Sequence, residues 1–168
     1  MTSTLKVDDV MQSPVKALPA DMLAVDALQF AERCHLHHFP LLDHGSIVGM
    51  VCTCDLQELE LKAPIRGAMR HQLATVPAHW GIDQAVLSMS QQAVGSLLVI
   101  DHGAMVGIVT REDLARAGAD VQNMPHFRCR SCGSIHHLKL EGDKGTLCID
   151  CRERANPEVP GDGTGVGD

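Results

Sequence analysis

Hydrophobic and polar positions along this chain of 168 residues run through one order of elements twice. The first apolar run, Val15 to Leu18, reads as a short strand that Pro19 ends. Leu23, Ala27, Phe30, Ala31 and Cys34 then recur at helical spacing, and Asp21 is placed to cap that helix. Pro40–Leu42 and Ser46–Val51 flank Asp43-His44-Gly45, which predicts two strands around a tight turn. A final helix is predicted from near Asp55. The second pass repeats these features. Leu73–Val76 is the strand, Ile82, Val86, Met89 and Ala93 share a helix face, and Leu97–Ile100 and Ala104–Val109 flank Asp101-His102-Gly103. Its last helix is predicted from near Asp113.

The two passes are copies. VGMVCTCDL (48–56) and VGIVTREDL (106–114) match at an offset of 58 positions. The same offset pairs Met11 with Met69, Pro19-Ala20 with Pro77-Ala78, Ala27 with Ala85, and the two Asp-His-Gly turns. Collinear matches over so many positions imply duplication. Each copy is β-α-β-β-α, and each alone is too small to bury both helix faces. The expectation is an α+β fold. Residues 7–60 and 65–118 form two repeats packed as a pseudo-symmetric pair, with a small four-cysteine module after them.

Two such copies, each ending in Val-Gly-x-Val-x-x-x-Asp-Leu, resemble tandem CBS domains, the Bateman module. Met11 and Met69 sit where that family often has a Val-Met pair. The resemblance implies a regulatory module that binds an adenosine ligand (AMP, ADP, ATP or S-adenosylmethionine) in the cleft between copies. It also implies pairing into disc-shaped homodimers, and places Thr75 in the lining of the adenine pocket.

Thr110-Arg111-Glu112-Asp113 leads from a strand into a helix, whose first turn offers unpaired N–H groups. Thr110 can donate to a phosphate, Arg111 can add charge there, and Asp113 can accept from both ribose hydroxyls. Thr-x-x-Asp is equally a helix capping box, so a purely structural role competes with the ligand role. The first copy reads Cys52-Thr53-Cys54-Asp55. It keeps the acid Asp55 but has lost the hydroxyl, and a thiol is a weak donor. Ala17 stands where the second copy has Thr75, with Lys16 beside it. The two sites are therefore expected to be unequal.

From Phe127 the pattern changes. Cys129-x2-Cys132 and Cys148-x2-Cys151 are separated by 15 residues, a spacing that suits one tetrahedral ion. The segment 127–154 resembles a zinc ribbon, and Cys-x-x-Cys-Gly-x-Ile (129–135) is similar to the finger of DksA/TraR-type transcription factors. No long coiled coil precedes it, so RNA polymerase binding does not carry over. Zinc is the default ion, and iron in a rubredoxin-like site is the alternative. Four cysteines fill the shell, which argues against metal catalysis. Residues 118–126 read as a linker, and 155–168 as a disordered acidic tail.

Composition narrows the function further. Net charge is −7, and aromatic residues make up 2% of the chain. Neither favours nucleic acid as a partner. The seven cysteines are an odd number and fit a reducing compartment, so a cytoplasmic protein is expected. No apolar run reaches membrane-spanning length. No nucleophile–base pair stands out, so the expectation is a regulatory protein rather than an enzyme, with an unidentified protein partner on the ribbon. Two rival readings remain. One is a dimerising scaffold whose ribbon docks protein or nucleic acid and which takes no ligand. The other is a metal or redox sensor using Cys52, Cys54 and the His35, His37, His38 cluster. The bland alternative is that Cys52 and Cys54 are small buried hydrophobes and the histidines a solvated helix end.

Overall fold

The computed structural model describes residues 4–121, 124–141 and 145–155. The first repeat contains β1 (Leu18–Pro19), α1 (Ala24–Cys34), β2 (His38–Asp43), β3 (Ser46–Cys52) and the single turn α2 (Thr53–Leu56). The second contains β4 (Thr75–Pro77), α3 (Ile82–Gln92), β5 (Ser96–Asp101), β6 (Ala104–Thr110) and α4 (Arg111–Arg116). Each forms a three-stranded sheet in which the first strand runs parallel to the second and the hairpin closes the other side. Both hairpins carry a bulge at the same place, Leu41/Leu42 and Val99/Ile100. In the turns, His44 and His102 share positive φ with Gly45 and Gly103. Two successive positive φ values match the right-handed twist of the strands.

Two local expectations are corrected. Pro19 and Pro77 close their strands from inside rather than after them. Both strands lie at a sheet edge, where a missing N–H costs no ladder bond. Asp21 does not cap α1; Leu23 occupies that position without a side-chain bond.

Each repeat is completed by the segment that leads into the other. A four-residue helix, Val7–Val10, precedes β1 yet packs on the second repeat. The Val7 and Asp8 N–H groups donate to Trp80 and Ala78 carbonyls at 2.8 and 3.1 Å. At the same offset, a 3-10 turn, Ile65–Ala68, precedes β4 yet packs on the first repeat. There Ile65 and Arg66 donate to Met22 and Ala20 at 2.8 and 3.0 Å. Val7 and Ile65 are wholly buried, each in the opposite repeat's core. The chain then bridges the facing hairpin, Gln12 on Ile108 and Arg70 on Met50.

The expected linker is partly core. Ala119, Val121 and Phe127 are buried against the second repeat. The ribbon adds β7 (Leu138–Leu140) paired antiparallel with β8 (Thr146–Cys148), then α5 (Ile149–Ala155). The expected tail beyond Ala155 lies outside the described residues.

Gly49 and Gly107 make the bridges feasible. A Cβ on Gly107 would collide with the Met11 side chain and come within 3.0 Å of the Gln12 carbonyl. On Gly49 it would collide with Met69 and sit 2.7 Å from the Arg70 carbonyl. Gly49→Ala and Gly107→Ala should each destabilise the protein by about 1–3 kcal/mol in urea unfolding. An unchanged midpoint would show that these crossings do not hold the repeats together.

Candidate functional site

Asp113 stands at the start of α4, on the wall of a cleft of about 600 Å³. Its Oδ2 accepts from the Thr110 N–H at 2.9 Å and from the Thr110 hydroxyl at 2.7 Å. The Asp113 N–H returns a bond to the Thr110 oxygen at 3.3 Å. The capping box is therefore real, and it engages the Thr110 hydroxyl. Gln12, on the crossing segment, places Nε2 at 3.1 and 3.0 Å from the two Asp113 oxygens. Arg116 lies 3.5 Å away. Ser13, Lys16, Glu112, His136 and the three histidines His35, His37 and His38 also line the cleft.

The first repeat builds the mirror cleft, about 560 Å³, around Asp55. Arg70 stands where the second site has Gln12. It grips Asp55 through two bonds of 3.0 Å each. A bidentate guanidinium holds a carboxylate far more firmly than a single amide. Asp55 is thus held by a bidentate guanidinium, whereas Asp113 meets the Gln12 amide, the Thr110 cap and, through a single longer contact of 3.5 Å, Arg116. The difference was open to sequence reasoning, because Gln12 and Arg70 directly follow the paired Met11 and Met69. Cys52, where the second site has Thr110, turns to Cys54 instead.

Two predicted ligand residues are placed elsewhere. Thr75 is exposed and lines a separate surface depression with Val76, Pro77, His79 and Ile100. Arg111 does not face the Asp113 cleft either. It is 5% exposed and points into a cavity of about 40 Å³ at the seam of the repeats. Cys52, Cys54, His37, His38, Arg70 and Glu112 share this lining with His137 and Leu138 of the ribbon. Thr110 and Arg111 are neighbours on a strand-to-helix turn, so their side chains leave the chain on opposite sides. Burial lowers the Arg111 pKa to about 10. The Arg111 Nε and the His38 Nδ1 have no hydrogen-bond partner among the described residues.

The ribbon lies over the first cleft. Leu138, Lys139, Leu140 and Thr146 roof it. Lys139 and Arg152 meet Glu58 at 3.0 and 3.4 Å, and His136 meets Glu112 at 3.2 Å. His37 and His137 pack edge to face with ring centres 4.9 Å apart. Cys129, Cys132, Cys148 and Cys151 bring their sulfurs within 4.8 Å of one another. Among the described residues, this is the group of ligand atoms close enough to share one ion. A tetrahedral ion with bonds of about 2.3 Å needs sulfurs about 3.8 Å apart, so a small contraction suffices. Gly133 takes φ +77, as the turn after the first pair requires. The His35, His37, His38 cluster does not converge: His35 caps α1 in a left-handed conformation, and His38 turns inward.

The CBS domain family model matches residues 7–62 and 65–120. The chain belongs to the CBS domain family. Among curated proteins it is 25% identical over 114 residues to the L-aspartate semialdehyde sulfurtransferase of Methanocaldococcus jannaschii. That match covers 66% of this chain but 22% of the relative. It is 23% identical over 133 residues to the CBS domain-containing protein YhcV of Bacillus subtilis, covering 71% of this chain and 95% of YhcV. Among solved structures, the CBS domain pair of MJ0100 was crystallised with 5'-methylthioadenosine and S-adenosyl-L-methionine. It superposes with a TM-score of 0.60 at 25% identity, covering 67% of this chain and 94% of that one. The CBS domain protein TA0289 of Thermoplasma acidophilum superposes equally well, TM-score 0.60 at 23% identity, over 77% of this chain and 83% of its own. No described helix of this CBS protein is long and apolar enough to cross a membrane.

His38 gives the seam a pH signature. Burial is the largest influence on its ring and lowers its pKa from 6.5 to about 4, with Glu112 opposing and Arg111, His37 and Arg70 assisting. The unfolded chain therefore takes up this proton first as pH falls. Stability contributed by neutral His38 should be intact above pH 6.5 and decline towards pH 4, by about 2–3 kcal/mol. His38→Gln should flatten that slope in urea titrations at stepped pH; an equal slope would assign it to other groups.

Proposed function

We propose that this CBS protein is a regulatory sensor of an adenosine ligand, held in the Asp113 cleft. The observation that carries the reading is the Asp113 carboxylate with Gln12 against both oxygens. A ribose diol is the ligand group that replaces such an amide one for one. The Asp55 cleft is closed to the same exchange by Arg70 and roofed by the ribbon. One ligand per chain is the consequence.

The surroundings favour a particular kind of adenosine. Arg111 is withdrawn, and the Thr110 hydroxyl serves Asp113. Lys16 stands near the mouth with the imidazoles of His35, His37, His38 and His136, while Arg116 already faces Asp113. Such a cleft is poorly furnished for a triphosphate. It suits S-adenosylmethionine, its thioether product or AMP better than ATP. The MJ0100 pair was crystallised with two compounds of this kind. His136 of the ribbon borders the same cleft and pairs with Glu112. Ligand entry would be felt there first, and the ribbon would carry the change to a protein partner. The repeats pair into a homodimer, the protein acts in the cytoplasm, and it is not itself an enzyme. Its match to the sulfurtransferase covers too little of that protein to suggest the same reaction.

Calorimetric titration should give one site per chain, with S-adenosylmethionine or 5'-methylthioadenosine bound more tightly than ATP. Asp113→Ala should abolish ligand-linked thermal stabilisation while leaving a folded protein. A second reading has its own support, because Thr110 and Asp113 already complete a capping box. On that reading the repeats are a scaffold, and no adenosine compound shifts the melting temperature of either protein.

The ribbon is proposed to hold zinc through Cys129, Cys132, Cys148 and Cys151. It has few buried apolar residues of its own, so metal should supply much of its folding free energy. Elemental analysis should give one zinc per chain; a red protein would indicate iron. Chelation should melt β7, β8 and α5 and free Glu58, while the repeats keep most of the far-UV dichroism.

A further inference from the structure

The cavity at the seam contains a second chemistry, independent of any ligand in the Asp113 cleft. Cys52 and Cys54 place their sulfurs 2.6 Å apart, with both residues buried. A disulfide of about 2.05 Å needs only a small torsional change from there. Two cations share the cavity, Arg70 and the deeply buried Arg111. Arg70 already serves Asp55, whereas Arg111 leaves Nε without a partner. A buried guanidinium favours a nearby anion, and the groups in the cavity that can supply one are Glu112 and a cysteine thiolate. From the ribbon, His137 lines the same cavity as Cys54.

We propose that Cys52 and Cys54 form a peroxide-reactive dithiol at the junction of the two repeats and the ribbon. Cys54 is the nucleophile. The thiol of Cys52 donates to it, and His137 and Arg70 add to that effect against the cost of burial, so its pKa falls to about 5. Cys52 is correspondingly held protonated, first by that same bond and then by burial. It serves as the resolving thiol. In the first step the Cys54 thiolate attacks one peroxide oxygen. The O–O bond breaks, Cys54 becomes a sulfenic acid, and hydroxide leaves to take up a proton as water. In the second, the Cys52 sulfur attacks the sulfenic sulfur and the S–O bond breaks. The departing hydroxide leaves with the Cys52 proton as a second water. Two thiols and one peroxide thus give one disulfide and two waters, and sulfur supplies both electrons. A thiol reductant reverses the change.

The geometry also chooses the oxidant and argues against a metal. A cavity of about 40 Å³ holds a few water-sized molecules, so it admits a peroxide and excludes a bulky disulfide such as oxidised glutathione. Two arginines in the lining repel a cation. Oxidation removes the thiolate that His137 meets, and with it one of the contacts holding the ribbon to the first repeat.

The test uses the metal-loaded full chain. It is exposed to hydrogen peroxide or oxidised glutathione, quenched by alkylation and mapped by peptide mass spectrometry. Half-exposed Cys34 is the internal reference. Peroxide should remove two hydrogens from the Cys52–Cys54 peptide about ten-fold faster than it modifies Cys34, and oxidised glutathione should not. Cys52→Ser should stop at a Cys54 sulfenic acid that a 1,3-dione traps. Alkylation of Cys54 in the unmodified chain should show an inflection near pH 5, raised in His137→Ala. If both thiols remain alkylatable once Cys34 is oxidised, or the Cys54 inflection lies above pH 8, the proposal fails.

Discussion

Everything in this molecule depends on two places where backbone passes over a glycine. Gln12 lies on Ile108 and Arg70 on Met50, each a step from a glycine that has no Cβ to obstruct it. The crossing segments come from opposite repeats, so neither repeat has a complete core without the other. Val7 and Ile65 show this most simply, since each is fully buried among residues of the opposite copy. The crossings also deliver the functional groups. Gln12 and Arg70 reach the two aspartates because the segment carrying them must cross at that point. Fold and site are set by the same constraint.

The near-symmetry makes the departures informative. At one junction the crossing residue is a neutral amide, at the other a guanidinium. At one the capping residue is Thr110, at the other Cys52. These two substitutions turn equivalent clefts into different chemical environments. The first is neutralised, covered by the ribbon and backed by two sulfurs. The second holds its acid through an amide, a hydroxyl and one single-point arginine contact. Function in duplicated folds lies where the copies disagree, because agreement maintains only the shared packing.

Much of this was legible in the chain itself. Collinear matches at one offset specified the duplication, the hairpins and the helices, since period and turn residues act locally. The four cysteines were legible because metal geometry imposes spacing. What escaped was direction. Arg111 was read as a phosphate ligand, yet its side chain leaves the turn on the side away from Thr110. The family resemblance puts Thr75 in the cleft, yet it lines a separate depression beside Pro77 and His79. The expected linker was read from polarity, but Ala119 and Val121 fill space in the second core. The position of the ribbon was equally hidden. Its placement rests on Glu58 meeting Lys139 and Arg152 and on Glu112 meeting His136, all brought from far along the chain.

The two crossings are not equal in time. Arg70 meets Met50 after a short loop, so a growing chain can make that junction as soon as the first repeat and its exit segment exist. Gln12 must wait for Ile108, nearly the whole length of the duplicated region. Loop closure over such a distance comes late. The occupied, arginine-locked junction is therefore the one assembled first, and the exchangeable one is the last to close. A nascent chain can acquire the Asp113 cleft only after both copies have been synthesised, so a product truncated between them would lack that cleft altogether.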